Sequence, residues 1–488
     1  MKSENNLLVN LPLSNLSTTS FYVMPPGLLA LVAYLRENSL STDFLDLNVI
    51  KKKNTGCAES KLTSIFEDCL AKSKPCLVGA SVMVAGQFML VREILKSTKQ
   101  FSVDTVTVVG GAHVSEFPKK ILENCPEIDF VVMGEGESQL LACAHFAQTK
   151  ESPSVWPDGI AYRSNGKIVI KPKKSYIEDI NSLPFPAYDV LEFNDYLHDI
   201  STWHNPYQVE LGVRAPIITS RGCPNLCNFC SVAGCMGRRY RPMSPVKVVD
   251  MLQMLHEKYN VCYFAVYDAN FAQEPPRVIE MCNEISRRNL KFYIDLPTGL
   301  PINRAAKEMI ESLAEVGLIR TCISIESGDV NIRNKVMKKN VKQNDIFEVV
   351  EAIRSYPQIF LLTDFVMGMP EDTIESLDAS CELIDDLDTD DLTLCLATPY
   401  PGTELYRQCV RDKLFCQGIY CEKLWIAEWY NHNYTGKFVI RPYKLDMKTL
   451  DDYRERILAA KAAKISSYHK RMKTVFNIDS NYGMRSLI

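Results

Sequence analysis

The sequence lacks any long hydrophobic run: nowhere in its 488 residues do about 18 apolar residues stand together, so no membrane-spanning helix is expected. It lacks a basic excess as well. Lys and Arg number 55 against 59 Asp and Glu, a net charge of −4, which argues against a nucleic acid as the main partner. The opening residues, Met1-Lys-Ser-Glu-Asn-Asn6, lead into a short strand-like run without the apolar core of a secretory leader, and a cytoplasmic location is expected. A disulfide framework is missing too. Of the 17 cysteines most stand singly inside apolar runs, as Cys69, Cys262, Cys282, Cys322 and Cys395 do; they read as small buried hydrophobes of a reducing compartment. Apolar residues make up 46% of the chain, enough for a sizeable interior, and the length suits two or three domains.

Against that background one stretch stands out: Thr219-Ser-Arg-Gly-Cys-Pro-Asn-Leu-Cys-Asn-Phe-Cys230. It follows an apolar run, Pro216 to Thr219, that reads as a strand. Cys223, Cys227 and Cys230 are spaced C-x3-C-x2-C, with the aromatic Phe229 before the last. Soft thiolates this close together on one loop converge on zinc, copper or an iron–sulfur cluster. A structural zinc requires four closed ligands, and a plain electron-transfer 4Fe-4S cluster likewise takes four cysteines. Three ligands leave one metal position open for chemistry. The competing reading recruits Cys235, giving C-x3-C-x2-C-x4-C and a closed zinc site, although zinc ligands more often come as two C-x2-4-C pairs with a longer gap.

With its flanking Arg-Gly-Cys-Pro and Phe229, the motif resembles the cluster loop of the radical S-adenosylmethionine (SAM) superfamily. The resemblance implies a 4Fe-4S cluster on Cys223, Cys227 and Cys230, with SAM chelating the fourth iron and Phe229 beside it. It also implies reductive cleavage of SAM to a 5′-deoxyadenosyl radical.

The chain ahead of the motif alternates apolar runs with amphipathic stretches. Strands are predicted at Leu7–Leu11, Thr42–Leu47, Cys76–Val82, Thr105–Val109 and Asp129–Met133. A helix with Leu28, Leu31, Val32 and Leu35 on one face follows the first. Five such β-α units make an open parallel sheet with helices on both faces and ligands at the strands' carboxyl ends. Ser81, Gly110-Gly111-Ala112-His113 and Gly134-Glu135-Gly136-Glu137 stand at those ends. Glycine there lets a ligand approach the backbone, or merely serves the turn. Together with Pro25-Pro26-Gly27-Leu28, these stretches resemble the cobalamin-binding domain found ahead of many radical SAM cores. The resemblance implies a Rossmann-like (flavodoxin-like) domain over residues 1–147, with Ser81, Gly110, Gly111, Gly134, Glu135, Gly136 and Glu137 around the corrin and its nucleotide tail. One signature is absent: none of the seven histidines has an aspartate two residues before it. The Asp-x-His-x-x-Gly cobalt ligand is therefore missing, His113 reads as a loop or helix-capping residue, and cobalamin is expected base-off.

Residues 148–212 carry Pro153, Pro157, Pro172 and the cluster Leu183-Pro-Phe-Pro-Ala-Tyr-Asp189, and read as a linker. Within it a hairpin is predicted at Gly159–Tyr162 and Lys167–Ile170, about Asn165-Gly166. Over 213–411 the β-α rhythm returns, with strands predicted at Val261–Tyr267, Lys291–Asp295, Ile319–Ile325, Ile359–Met367 and Leu392–Ala397 after the pre-cluster run. Six units match the partial (β/α)6 barrel of the radical SAM core, with its site at the strands' carboxyl ends. By position the resemblance implies that Asp268 and Asn270 meet the SAM amino group, Ser324 and Glu326 its ribose and Gly368 its adenine; Glu326 also fits a capping or salt-bridge role. Arg238, Arg239 and Arg241 either reach the SAM carboxylate or form a solvated face. The tail, 412–488, is expected to be mainly helical. Its aromatics Trp425, Trp429, Tyr430 and Tyr434 form core or a lid over the barrel mouth, and Cys416 and Cys421 suggest no second cluster.

The expected activity is that of a cobalamin-dependent radical SAM methyltransferase acting on an unactivated carbon or phosphinate phosphorus of a small-molecule or peptide substrate. A reduced flavodoxin- or ferredoxin-type donor would supply the electron. The alternatives are a radical cyclase, ring-rearranging or oxidising enzyme with the same cofactors, and a non-catalytic cobalamin- or zinc-binding scaffold. An RNA-methylthiolating enzyme would need a further N-terminal cysteine cluster and a basic C-terminal module, and the sequence has neither.

Overall fold

A computed structural model of the chain describes residues 5–12, 23–54, 58–197, 211–427 and 437–476. The chain divides into two compact units. The first takes in Met1–Tyr196 with Gly234–Gly237 and Tyr420–Thr435; the second takes in Leu197–Ala233, Arg238–Ile419 and Gly436–Ile488.

The first unit is built on strands β1 (Asn6–Asn10), β2 (Thr42–Asp46), β3 (Leu77–Ser81), β4 (Val106–Gly110), β5 (Phe130–Val132), β6 (Ile160–Ser164) and β7 (Lys167–Lys171). Their order is β2-β1-β3-β4-β5-β6-β7, parallel through β5. Helices α1 (Pro26–Glu37), α2 (Leu47–Lys53), α3 (Glu59–Ser73), α4 (Phe88–Phe101), α5 (Ala112–Ser115), α6 (Pro118–Asn124) and α7 (Glu137–Thr149) connect them. The strands are apolar on both faces because both faces are covered. On β1, Leu7 and Val9 join Phe66, Val91 and Ile94 of α3 and α4, while Leu8 joins Leu28, Val32 and Leu140 of α1 and α7. Each Leu, Val or Phe so buried contributes about 1.5–3 kcal/mol. The first five strands have the flavodoxin-like order, whose reversal between β1 and β3 opens a ligand crevice at the carboxyl ends.

The predicted hairpin forms, with Asn165 and Gly166 both left-handed at its turn. It does not stand in a connector, however. β6 pairs antiparallel with β5 and extends the sheet. Residues beyond it also pack on this unit: Ala187 N–H donates to Leu29 O at 3.0 Å, Tyr188 is buried, and the Tyr196 hydroxyl bonds Asp46. Much of the expected 148–212 linker is thus part of the first unit. Sequence reading missed this because irregular backbone carries no period, however well it packs.

In the second unit, β8 (Arg214–Ile217) leads to a two-residue ribbon, β9 (Ser220–Arg221) with β10 (Arg241–Pro242), and then to β11 (Tyr263–Val266), β12 (Tyr293–Leu296), β13 (Leu318–Glu326), β14 (Phe360–Met367) and β15 (Asp391–Leu396). Apart from the ribbon these strands lie parallel in the order β15-β14-β13-β12-β11-β8. Helices α8 (Val232–Met236), α9 (Pro245–Tyr259), α10 (Pro275–Arg287), α11 (Lys307–Glu315), α12 (Gln343–Arg354), α13 (Ile374–Asp386) and α14 (Glu404–Arg411) intervene. The α9 start is as expected, with Ser244 accepting from Lys247 N–H and Pro245 in the first turn. This is the expected partial (β/α)6 barrel.

The tail is mainly helical, as expected. Helix α15 (Met447–Phe476) lies at the strands' amino ends, away from the mouth. Its Ile465, Tyr468 and Met472 pack on Cys322, Phe360 and Leu362, its Lys461 pairs with Asp391 at 2.5 Å and its Arg471 with Asp390 at 2.7 Å. It floors the barrel rather than closing it. Trp425 packs into the first unit's core against Phe88, with ring centroids 5.7 Å apart; Trp429, Tyr430 and Tyr434 lie outside the described residues.

Candidate cluster and cofactor site

The three-cysteine loop leaves the carboxyl end of β8 through Thr219 and the β9–β10 ribbon. Gly222, left-handed at φ 81°, turns the chain into Cys223. Further on, Asn228 N–H donates to Met337 O at 3.2 Å and Asn228 O accepts from Leu405 N–H at 3.0 Å. Phe229 packs against the apolar cluster that includes Ile332, Met337, Met369 and Leu405, so the aromatic of the motif anchors the loop on the barrel wall. The three cysteines are free thiols. Burial pushes the Cys227 thiol up to about 11; Lys339 opposes this, while Cys230, Glu326 and Cys223 add to it. The trio and the Glu326–Lys339 pair are therefore electrostatic neighbours. Among the described residues no group of three or more His, Cys, Asp or Glu side chains is arranged to hold a metal ion. The trio is a ligand set by chemistry and spacing. Cys235 belongs with the first unit, where its carbonyl packs over Gly134.

Two buried acceptors beside the loop have no hydrogen-bond donor: Asn228 Oδ1 and Asn270 Oδ1. Asn270 sits beyond the end of β11 with its Nδ2 3.8 Å from Cys223 Sγ and 2.8 Å from Gln273 Oε1. A buried amide oxygen without a partner next to a soft-metal ligand suits a ligand that brings its own N–H, such as the SAM ammonium.

The other expected SAM residues divide. Asp268 does not face an open site: it is fully buried, and its carboxylate accepts from Thr219 N–H, Thr219 Oγ1 and Ser220 Oγ at 2.6, 2.6 and 2.7 Å. Glu326 ends β13 with a left-handed backbone, φ 73°, and pairs with Lys339 at 2.9 Å. Burial raises the Glu326 carboxyl, and Lys339 opposes it. Burial works against the charged form of Lys339 as well, but Glu326 and the Cys227 sulfur outweigh it and hold the ammonium above its usual range. Lys339 escaped sequence reading because Lys338-Lys339-Asn340 looks like a solvated charge run. Left-handed backbone at Lys338 and Asn340, φ 60° and 55°, turns the middle residue inward. The buried Arg333, donating to Ser327 O and Val341 O, ties both sides of that turn together.

Gly368, left-handed at φ 91°, follows β14; a side chain there would meet the Phe438 ring at 3.2 Å. The expected adenine-side glycine is thus walled by an aromatic of the tail. Its loop is fixed by Asp372, which accepts from Gly368 N–H at 2.8 Å and Met369 N–H at 2.9 Å. Burial carries the Asp372 carboxyl up to about 7 despite these bonds. Of the arginines after the loop, Arg238 is exposed with Nη1 on Asn225 O, and Arg241 is buried in β10.

Strand alternation fills the barrel interior in layers. The lower layer is closed: Arg214, Asp295 and Arg320 form a buried ion cluster, with Tyr263 against it. Above it Tyr267, Ser324, Asp364, Thr393 and Cys395 are each half-exposed, although β13 and β14 are interior strands. Ser324, expected beside the SAM ribose, donates to Asp364 at 2.9 Å. The upper interior therefore carries partly exposed polar side chains.

In the first unit, Ser81 and Gly110 end adjacent strands, paired in register and both half-exposed. Gly111 is left-handed at φ 104°, and a Cβ there would strike Val82 O at 2.6 Å and Ser81 Oγ at 3.0 Å. Glycine at 111 is thus required by the packing of the turn itself. The second glycine pair does not form an open cradle. Gly134 packs on Lys173, and Gly136 on Val132 and Leu31. Glu135 is buried, with Oε2 accepting from Ile177 N–H and its carbonyl from Lys173, and Glu137 is buried in the first turn of α7. Gly134 and Glu135 thus hold the irregular segment after β7 onto the sheet. His113 is buried too, Nε2 3.0 Å from Trp425 O between the Phe88 and Phe117 rings, which leaves it no part as a cobalt ligand.

A flavodoxin-like unit ahead of a partial barrel whose first loop carries three cysteines defines a class. Family models agree with it: the B12 binding domain matches residues 14–144 and the radical SAM superfamily matches residues 217–384. The chain carries a B12-binding domain and a radical SAM domain, and its cofactors are a 4Fe-4S cluster, SAM and cobalamin. It is similar to an uncharacterized methyltransferase of Pyrococcus horikoshii, 28% identical over 391 residues, 80% of this chain and 79% of that one. It also resembles the cytidylyl-2-hydroxyethylphosphonate methyltransferase of Streptomyces wedmorensis, 28% identical over 69% of this chain and 67% of that one. The anaerobic magnesium-protoporphyrin IX monomethyl ester cyclase of Cereibacter sphaeroides is 26% identical over 79% of this chain and 60% of its own length. Among solved structures the fold matches TsrM, a radical SAM methyltransferase of Kitasatospora setae with cobalamin and a 4Fe-4S cluster bound, at TM-score 0.66 and 18% identity over 84% of this chain and 78% of that one.

Proposed function

We propose that this chain is a cobalamin-dependent radical SAM methyltransferase acting on an unactivated carbon, or a phosphinate phosphorus, of a small-molecule or peptide substrate. The observation that carries the proposal is a three-thiol loop at the barrel mouth of a chain that also has a B12-binding unit. When bound, the cluster and SAM supply a carbon-centred radical, and cobalamin supplies a transferable methyl group.

The chain's own residues bind, orient and shield. Cys223, Cys227 and Cys230 would hold the cluster, leaving one iron for SAM. The partnerless Asn270 Oδ1 would accept from the SAM ammonium, and Lys339, held by Glu326, would meet its carboxylate. Phe229, Ser324 and the Gly368 loop, steadied by Asp372, would line the rest of the SAM site. Ser81, Gly110 and Gly111 would take the corrin edge, with Gly134 to Glu137 acting behind them through packing. The partly exposed polar side chains Tyr267, Ser324, Asp364, Thr393 and Cys395 would receive the substrate. The electron would come from a flavodoxin- or ferredoxin-type donor, and a cytoplasmic setting suits the free thiols.

Anaerobic reconstitution with iron, sulfide and hydroxocobalamin tests this. The expected result is about four irons per chain, 5′-deoxyadenosine on reduction, and label in the product from methyl-labelled SAM. A protein that holds one zinc and no iron would end the proposal. The likeness to a ring-forming cyclase favours one second reading, radical cyclisation with the same cofactors; 5′-deoxyadenosine with an altered but unlabelled product would select it.

A further inference from the structure

The carboxyl end of β11 braces the cluster loop at two points. Asp268 accepts three hydrogen bonds from Thr219 and Ser220, the residues at the root of the loop. Two residues on, Asn270 reaches Cys223 Sγ, the first thiol of the trio. Thr219 is clasped from its other side by Arg277, whose Nη2 donates to Thr219 O at 2.8 Å and Thr219 Oγ1 at 3.0 Å while its Nε donates to Met243 O at 2.8 Å. All four members are buried: Asp268 and Thr219 fully, Ser220 at 1% and Arg277 at 7% exposure. A carboxylate is expensive to bury without good partners. Here three short bonds and a nearby guanidinium supply them, and no face of Asp268 is turned to solvent.

The loop therefore enters from a root that cannot shift without breaking several buried hydrogen bonds. Three residues separate Thr219 from Cys223, and Gly222 among them is the flexible link. We propose that Asp268 is a positioning residue for the cluster loop: by fixing Thr219 and Ser220 it sets where Cys223 stands, and it does not itself touch SAM. The proposal rests on the reading that Cys223, Cys227 and Cys230 hold a cluster. It departs from the expectation that the strand end offers its acid to the SAM ammonium, a part left to Asn270.

The test uses the full chain, anaerobically reconstituted with iron and sulfide, as parent, Asp268→Ala, Thr219→Val and Thr219→Ser. The readouts are iron and sulfide per chain, the rate of iron loss to a ferrous chelator, and the low-temperature EPR spectrum of the reduced protein with and without SAM. Thr219→Val keeps shape and loses the hydroxyl; Thr219→Ser keeps it. Asp268→Ala and Thr219→Val are expected to lose iron to the chelator about tenfold faster, as for other groups that orient a metal ligand from behind. Their EPR signals should already differ from the parent's before SAM is added, and Thr219→Ser should match the parent. Molecules of Asp268→Ala that retain four irons should still respond to SAM.

Parent-like iron retention and EPR in Asp268→Ala, with only the SAM response lost, would overturn the proposal in favour of direct contact. Parent-like behaviour in every readout would overturn it outright. Should Asp268→Ala fail to fold by circular dichroism, the Thr219→Val and Thr219→Ser comparison decides the matter in the same way. A parent protein that takes up no iron would instead overturn the cluster reading itself.

Discussion

Replacing Lys339 with methionine probes the ion pair at the barrel mouth. The ammonium and the Glu326 carboxylate stand 2.9 Å apart, with side chains 17% and 9% exposed. At an effective dielectric of about 20, opposite charges at that distance attract by about 6 kcal/mol. Desolvation offsets most of this, and stranding one partner of a buried pair costs about 3–5 kcal/mol. The loss should be at the upper end, because Asp364 also acts on Glu326 and two carboxylates would then share a pocket without a cation. Burial already raises the Glu326 carboxyl; without Lys339 it rises further, so the folded state takes up a proton that the unfolded state releases. Stability of the variant therefore increases as pH falls toward the unfolded carboxyl value. Denaturant unfolding at pH 8 and pH 5.5 reads this out in the transition of the barrel unit. Lys339→Met should lose about 3–5 kcal/mol at pH 8 and less at pH 5.5, and adding Glu326→Gln should restore most of it. A loss below about 1 kcal/mol, as for a surface pair, or a double variant no better than the single, would refute the reasoning.

Other expectations follow from the same geometry. Alanine at Cys223, Cys227 or Cys230 should each abolish 5′-deoxyadenosine formation and the SAM-dependent EPR change, while thermal unfolding of the iron-free protein moves little. Glu116 has its carboxyl pushed up to about 7 by burial, above the unfolded value, so wild-type stability should fall as pH rises between about 4.5 and 7, by at most about 1.4 kcal/mol per pH unit. Glu116→Gln should flatten that slope in denaturant titrations, and an unchanged slope would count against it. Asn340 is left-handed at φ 55°, so Asn340→Gly should be tolerated within about 0.5–1 kcal/mol while Asn340→Val costs more, as measured by unfolding midpoints.

Local pattern was enough for the strands, the Asn165-Gly166 turn, the Ser244-Pro245 helix start and the three-cysteine motif. Each depends on neighbours in the chain: alternation, 3.6-residue spacing, turn chemistry, or ligands on one loop. The family likeness rested on the same short stretches, so fold class and cofactors could be read from the sequence.

What the chain folds together from afar was not legible. Asp268 is an acid at a strand end in sequence, yet only the approach of Thr219, 49 positions earlier, shows that its carboxylate is already satisfied. Lys339 looks solvated until left-handed backbone at Lys338 and Asn340 turns it onto Glu326. Glu135 and Glu137 sit in a glycine-rich stretch that suggested an open cradle, but the irregular segment after β7 covers it. That the long helix of the tail seals the barrel floor was not legible either, because its Ile465, Tyr468 and Met472 find their apolar partners Cys322, Phe360 and Leu362 only in the folded chain. Sequence determines which groups can do chemistry; burial and partnership, which are tertiary, decide which of them remain available to do it.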